Sequence, residues 1–135
     1  MKYKELKKDI KNTIEKAEEI AIKNLSEGIE FSPYYIYGEN SNKLKKLIAG
    51  NIEEALEIAE ETIEEIDDDT ETVVLIYKEK VKLNDGTFDA IVSQVYNIDE
   101  DSGYSFGLLY KYSNNKIEFL NERVFLGNIR NLFMF

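Results

Sequence analysis

The chain has 135 residues, of which 43% are hydrophobic and 12% aromatic, so we expect a single domain over 1–135 with its own core. It contains neither cysteine nor histidine, which excludes disulfide bonds and removes the ligands of most zinc sites and the commonest general base. With 27 acidic and 17 basic residues, its net charge of −10 disfavours direct binding to nucleic acid.

The first segment predicts an amphipathic helix over residues 4–27, because apolar residues recur there every three or four positions. Gly28 follows the last of them and is expected to end the helix in a left-handed conformation. The chain begins without the uninterrupted apolar stretch of a secretory signal, and no apolar run is long enough to span a bilayer. Its Lys, Ile, Asn and Glu content is typical of AT-rich bacterial genomes. We therefore expect a cytoplasmic bacterial protein that does not enter a membrane.

Residues 29–49 are interpreted as two short strands. Residues 29–37 are aromatic and β-branched, and Pro33 favours an edge strand or the start of a strand. Residues 43–49 fit either a strand or a helical turn, and we prefer a strand that pairs back onto 29–37.

A second helix is predicted over residues 52–66, with Asn51 as its N-cap and Glu54 completing a capping box. Residues 51–71 contain eleven acidic residues and no basic one, and the acids fall largely opposite the apolar stripe. Each pair of like charges one turn apart costs roughly 0.2–0.5 kcal/mol. Burial of the apolar stripe must therefore stabilise this helix.

From residue 72 the apolar period changes to two, which predicts strands at about 72–83, 88–98, 104–113 and 116–126. Asp85-Gly86 is a strong hairpin signal, because glycine accepts a positive φ. The expected fold is a two-layer α+β domain in which an antiparallel β-meander of about four to six strands packs one face against both helices.

The sequence favours a protein that is not an enzyme. It contains no glycine-rich phosphate loop and no serine in a nucleophile motif. Residues 99–103 have the ligand spacing with which a calcium-binding loop begins. However, Tyr104 and Tyr110 occupy the positions at which an EF-hand requires glycine and glutamate. We predict no catalytic residue, no cofactor and no metal site.

The segment of residues 82–96 carries Asp85-Gly86 and then Asp89-Ala-Ile-Val92, and Phe31-Ser-Pro33 lies earlier in the chain. This pattern resembles small bacterial α+β proteins in which an Asp-Gly hairpin is followed by Asp-Ala-Ile-Val and a Phe-x-Pro precedes a further helix. The resemblance covers residues 29–126 and implies a fold, with no activity attached. Asp89 either caps the hairpin backbone, which we favour, or marks a site.

The leading functional hypothesis is a protein-interaction domain of the immunity, antitoxin or inhibitor kind. The acidic helix would bind another, basic protein, and the apolar C-terminal tail offers a second contact surface. The predicted partner-binding residues are Glu53, Glu57, Glu60, Glu61, Glu64, Leu132, Phe133 and Phe135. A dimeric, chaperone-like scaffold assembled through residues 132–135 is the alternative. A small-ligand receptor or carboxylate-based enzyme is a third, and it requires a pocket with Asp89 or several tyrosine hydroxyls.

Overall fold

The computed structural model describes residues 2–38, 43–46, 52–63, 70–114 and 116–129. A short 3-10 turn, Tyr3–Glu5, precedes two helices and six strands. In chain order these are α1 (Lys8–Ser26), β1 (Tyr34–Tyr37), β2 (Lys43–Lys46), α2 (Ile52–Ile63), β3 (Thr72–Leu83), β4 (Gly86–Asn97), β5 (Gly103–Ser113) and β6 (Lys116–Ile129).

The strands form one antiparallel sheet in the order β2-β1-β3-β4-β5-β6. The α+β class and the antiparallel sheet are therefore confirmed, and β1 and β2 extend the four-stranded meander to six strands. The sheet curls into a half-barrel instead of forming a flat layer. Register shifts interrupt the β5–β6 ladder at Ser105/Phe106 and at Leu108/Tyr110. Such bulges bend a strand and increase its twist, which promotes the curl.

Helix α1 begins at Lys8, four residues later than predicted, because residues 3–5 form a separate turn. Its end is as predicted. Gly28 has a φ of 75°, its amide donates to the Leu25 carbonyl, and the Ile29 amide donates to the Asn24 carbonyl at 2.8 Å. These two bonds form a Schellman motif, which needs a residue in the left-handed region at the glycine position.

The two helices lie against opposite faces of the sheet, so the prediction that both cover one face is wrong. Helix α1 shares a buried cluster with alternate strand residues such as Val74, Ile76 and Ile91. Ala55 of α2 shares a second cluster with the intervening residues, among them Val73 and Leu75. Successive strand side chains point to opposite faces, so the two clusters are separated by the sheet itself. A two-layer arrangement, with both helices on one face of the sheet, cannot account for both clusters.

The predicted hairpin of residues 29–49 is confirmed for its described part. Strand β1 starts directly after Pro33 and not at residue 29, and Tyr35 pairs with Lys45 of β2. All four residues of β2 are exposed at the edge of the sheet. Residues 47–49 lie outside the described part of the chain.

The four strands of the meander occur close to their predicted bounds. Strand β3 coincides with residues 72–83, and the Asn84-Asp85 turn that follows it closes with Gly86 at a φ of 132°. Strand β4 starts two residues earlier than predicted, and β6 extends three residues further. The N-cap assigned to Asn51 and the end of the second predicted helix, residues 64–66, lie outside the described residues.

Candidate interaction surfaces

Helix α2 presents a row of three exposed carboxylates, Glu53, Glu57 and Glu61, which we call the acidic row. Neighbours in the row are four residues apart and therefore about 6 Å apart along the helix axis. Ala55, on the opposite side of the helix, is fully buried against the sheet. Within the described ranges, no side chain forms an ion pair or hydrogen bond with any of the three. Among the described residues, the acidic row is therefore a negative surface without a compensating cation.

The remaining predicted partner-binding residues are not placed by the structure. The side chain of Glu60 and the whole of Glu64, Leu132, Phe133 and Phe135 lie outside the described part of the chain. Among the predicted set, the structure brings together only the acidic row.

Strand β2 forms a basic edge to the sheet. Lys43, Lys45 and Lys46 are all exposed, and the Nζ atom of Lys43 lies 5.9 Å from the ring centroid of Tyr37. Lysines on an edge strand disfavour pairing with further strands. This edge therefore has a structural explanation and needs no ligand.

The sheet face behind α2 carries a hydrogen-bonded group of tyrosines around Gln94. The Gln94 amide donates to the Tyr77 hydroxyl at 2.9 Å, and the Tyr96 hydroxyl donates to the Gln94 carbonyl oxygen at 2.6 Å. Burial raises the pKa of Tyr77 to about 12. This group adds hydrogen-bonded polar atoms to the sheet face that α2 covers.

On the α1 face, Glu18 is 1% exposed and is bound by Arg123 of β6. The guanidinium carbon of Arg123 lies 4.8 Å from the centroid of the Tyr3 ring. Burial raises the pKa of Glu18, while its hydrogen bonds to Arg123 act in the opposite direction. Sequence reasoning missed this cluster, although Glu18 falls inside the apolar stripe of α1 between Ile14 and Ala21, which was a usable signal.

Asp89 lies in the fourth position of β4, where its register partners are Lys80 of β3 and Tyr110 of β5. It accepts no hydrogen bond from the described residues, so the favoured assignment as a cap of the hairpin backbone is wrong. Tyr110 is 2% exposed, and the rings of Tyr112 and Phe119 lie 5.9 and 6.0 Å from its own. Burial and then the charge of Asp89 raise the pKa of Tyr110.

Comparison with known proteins adds no assignment to these surfaces. No protein-family model matches the chain, and neither a curated protein nor a solved structure is significantly similar to it. The resemblance over residues 29–126 therefore stays an expectation.

Two further properties hold for the described residues. They contain no group of three or more acidic side chains arranged to hold a metal ion. None of their helices combines the length and the apolar character that crossing a membrane requires.

Proposed function

We propose that this protein is a non-enzymatic interaction domain that binds a basic protein through the acidic row, in the manner of an immunity protein, antitoxin or inhibitor. The observation that carries the proposal is the acidic row itself, which presents Glu53, Glu57 and Glu61 to solvent without a compensating cation among the described residues. A localised, uncompensated charge raises the rate at which an oppositely charged partner associates.

The way in which α2 is packed supports this proposal. Ala55 is 0% exposed and lies in the cluster with Tyr35 and Leu75, so the helix is anchored on the sheet. This packing keeps the backbone positions of the three glutamates in one row, which reduces the conformational entropy that the helix would lose on binding. A partner with lysines or arginines at a matching spacing would meet a preformed surface.

The acidic row also carries an energetic cost that folding does not require. Glu53 and Glu57, and Glu57 and Glu61, are like charges four residues apart, and each such pair destabilises a helix by roughly 0.2–0.5 kcal/mol. Locally unfavourable choices in natural proteins are expected at functional sites. A purely solubilising surface could mix both charges and avoid this cost.

A pull-down from cells of the source organism at low salt tests the proposal with three baits. The first is the wild type, the second carries Glu53→Gln, Glu57→Gln and Glu61→Gln, and the third carries Glu19→Gln, Glu27→Gln and Asp101→Asn. The control removes the same number of charges from other exposed positions. We expect a basic protein on the first and third baits only. Identical capture on all three baits would contradict the proposal and assign the row to solubility.

A dimeric scaffold is the second candidate function, and the position of β6 favours it. This strand spans 14 residues at the edge of the sheet, and no described strand pairs with its outer side. Val124 and Phe125 on it are half-buried, and residues 132–135, which the dimer hypothesis invokes, follow it in the chain. An open strand edge is a template for pairing with a second chain. Sedimentation analysis of the wild type and of a chain lacking residues 132–135 tests this candidate: a dimer that becomes a monomer supports it, and an unchanged species excludes that interface.

A further inference from the structure

The end of the sheet that carries the β3–β4 and β5–β6 hairpins holds a group of aromatic and acidic side chains on the α1 face. The register places Lys80, Asp89, Tyr110 and Phe119 in one row across β3, β4, β5 and β6. Tyr112 and Ile117 form the next row outward. We call the group Asp89, Tyr110, Tyr112 and Phe119 the Asp89 niche.

The segment that leaves α1 borders this niche. Glu30 is ion-paired with Lys78 at 2.8 Å, and the charge of Glu30 acts on the Tyr110 hydroxyl. Phe31 packs against the same cluster as Tyr110 and places its ring 6.0 Å from that of Tyr34. Residues 30 and 31 therefore lie on the same face of the sheet as the niche.

Two polar groups in the niche have unused hydrogen-bonding capacity. The Tyr110 hydroxyl forms no hydrogen bond with the described residues, and it is not among their buried side-chain atoms that lack a partner. The half-exposed Asp89 carboxylate beside it likewise has neither a hydrogen bond nor an ion pair within the described ranges. An unpaired hydroxyl and a free carboxylate on neighbouring strands leave oxygen atoms available to accept hydrogen bonds from a ligand.

We propose that the Asp89 niche binds an organic cation, with the Asp89 carboxylate and the Tyr110 hydroxyl accepting its N–H groups and the Tyr112 and Phe119 rings packing against it. A carboxylate and aromatic rings are the two groups that together recognise ammonium and guanidinium ions, the first by charge-assisted hydrogen bonds and the second through the ring quadrupole. Tyr112 is 56% exposed, so one ring stands open to an incoming ligand.

The cation can be a lysine or arginine side chain of a protein or a small organic ammonium or guanidinium ion, since the two sources present the same charged groups. The niche lies on the α1 face and the acidic row on α2, so this site stands apart from the proposed function and can fail or succeed without it.

Lys80 is the internal competitor for this site. It is the register partner of Asp89 on the same face but lies outside ion-pair distance of it. A long lysine side chain can swing toward a neighbouring carboxylate, so an external cation must displace it. Removing Lys80 should therefore raise the affinity of the niche for an external cation. If the niche does not bind cations, this change should produce no binding.

Titration with n-butylguanidinium, followed by NMR through the ring signals of Tyr110 and Tyr112, tests the site. We expect saturable shifts in the wild type, about tenfold weaker binding in Asp89→Asn, unchanged binding in the Asp101→Asn control and tighter binding in Lys80→Gln. Asp101 is an exposed carboxylate in the turn at the other end of β4. Absence of saturable shifts, or equal losses in the two Asp→Asn variants, would overturn the proposal.

A second titration uses a capped Gly-Arg-Gly peptide and distinguishes the two sources. Tighter binding of the peptide than of n-butylguanidinium would assign the site to an arginine of a protein partner, and equal or weaker binding would assign it to a small organic cation. Circular dichroism of Asp89→Asn checks that the variant keeps its fold, and Tyr110→Phe, which removes only the hydroxyl, provides an independent variant. Binding of Tyr110→Phe with wild-type affinity would remove the hydroxyl from the site.

Discussion

Arg123 in β6 donates hydrogen bonds to the Glu18 carboxylate in α1 through two of its nitrogens. Its Nη2 lies 2.7 Å from Oε1, and its Nε lies 3.1 Å from both carboxylate oxygens. The two residues are 105 positions apart in the chain, so this pair fixes the last described strand to the first helix. Because bidentate guanidinium–carboxylate contacts combine charge with a defined geometry, the pair sets the orientation of β6 as well as its attachment.

Removing one partner of this ion pair should destabilise the protein strongly. Breaking a buried pair typically costs about 3–5 kcal/mol. We expect the cost of Glu18→Gln near the lower end of this range, because the Arg123 side chain is 21% exposed. Chemical denaturation measures the loss, with the exposed Glu19→Gln as control. The double variant Glu18→Met with Arg123→Met should lose less than the two single variants combined. A loss for Glu18→Gln no larger than the control would show that the pair contributes little.

The side chain of Tyr34, which lies in β1, forms hydrogen bonds with the backbone of α1. Its hydroxyl donates to the Ala17 carbonyl and accepts from the Ala21 amide at 3.1 Å, two groups that would normally bond to each other within a helix. Tyr34→Phe should cost about 1–3 kcal/mol and accelerate hydrogen exchange at the Ala21 amide. The exposed Tyr112→Phe serves as the control. Unchanged exchange at Ala21 would mean that the helix closes its own bond once the hydroxyl is absent.

Stability should fall in alkaline solution because of Tyr77. Its pKa is raised from 10.0 to about 12 in the folded protein, so the folded state favours the neutral hydroxyl. The contribution is present below pH 10 and is lost as the pH rises through 10 to above 12, by roughly 3 kcal/mol in all, since each unit of pKa difference corresponds to about 1.4 kcal/mol. Denaturation midpoints measured across this range test the claim. A Tyr77→Phe variant should show a smaller decline, and an equal decline would place the effect on other groups.

Replacing the acidic row should stabilise the folded protein while it weakens binding. Glu57→Gln removes two repulsions, with Glu53 and Glu61, and should raise the free energy of unfolding by about 0.4–1 kcal/mol. The gain should shrink at high salt, because exposed charges are screened. Thermal unfolding at low and high salt gives both values, with the exposed Glu27→Gln as control. A loss of stability in Glu57→Gln would reveal a stabilising partner for this carboxylate.

The strands could be predicted well because local signals specify them. Thr72–Leu83 and its neighbours combine a two-residue period with turn residues such as Asp85, Gly86 and Asn114, and these signals act within a few positions of the chain. The layer arrangement was missed for a reason visible in the sequence. All residues from Val73 to Tyr77 are apolar and all are buried, which is typical of a strand covered on both faces.

Contacts between distant segments could not be predicted, because the register that creates them is not a local property. Glu18 could be recognised as a charged residue within an apolar stripe, but nothing near it in sequence indicates Arg123 as its partner. Asp89 could be singled out from its motif, whereas its proximity to Tyr110 depends on the pairing of β4 with β5. The acidic row was predictable, because it depends only on the period of one helix.

The most direct test of the central claim is the association rate of this protein with the basic protein that the pull-down captures, measured as a function of salt. The wild type and the control carrying Glu19→Gln, Glu27→Gln and Asp101→Asn should associate rapidly at low salt and much more slowly as salt is added. The variant with Glu53→Gln, Glu57→Gln and Glu61→Gln should associate slowly at every salt concentration. The same rate and salt dependence in this variant and the wild type would show that the acidic row does not guide binding.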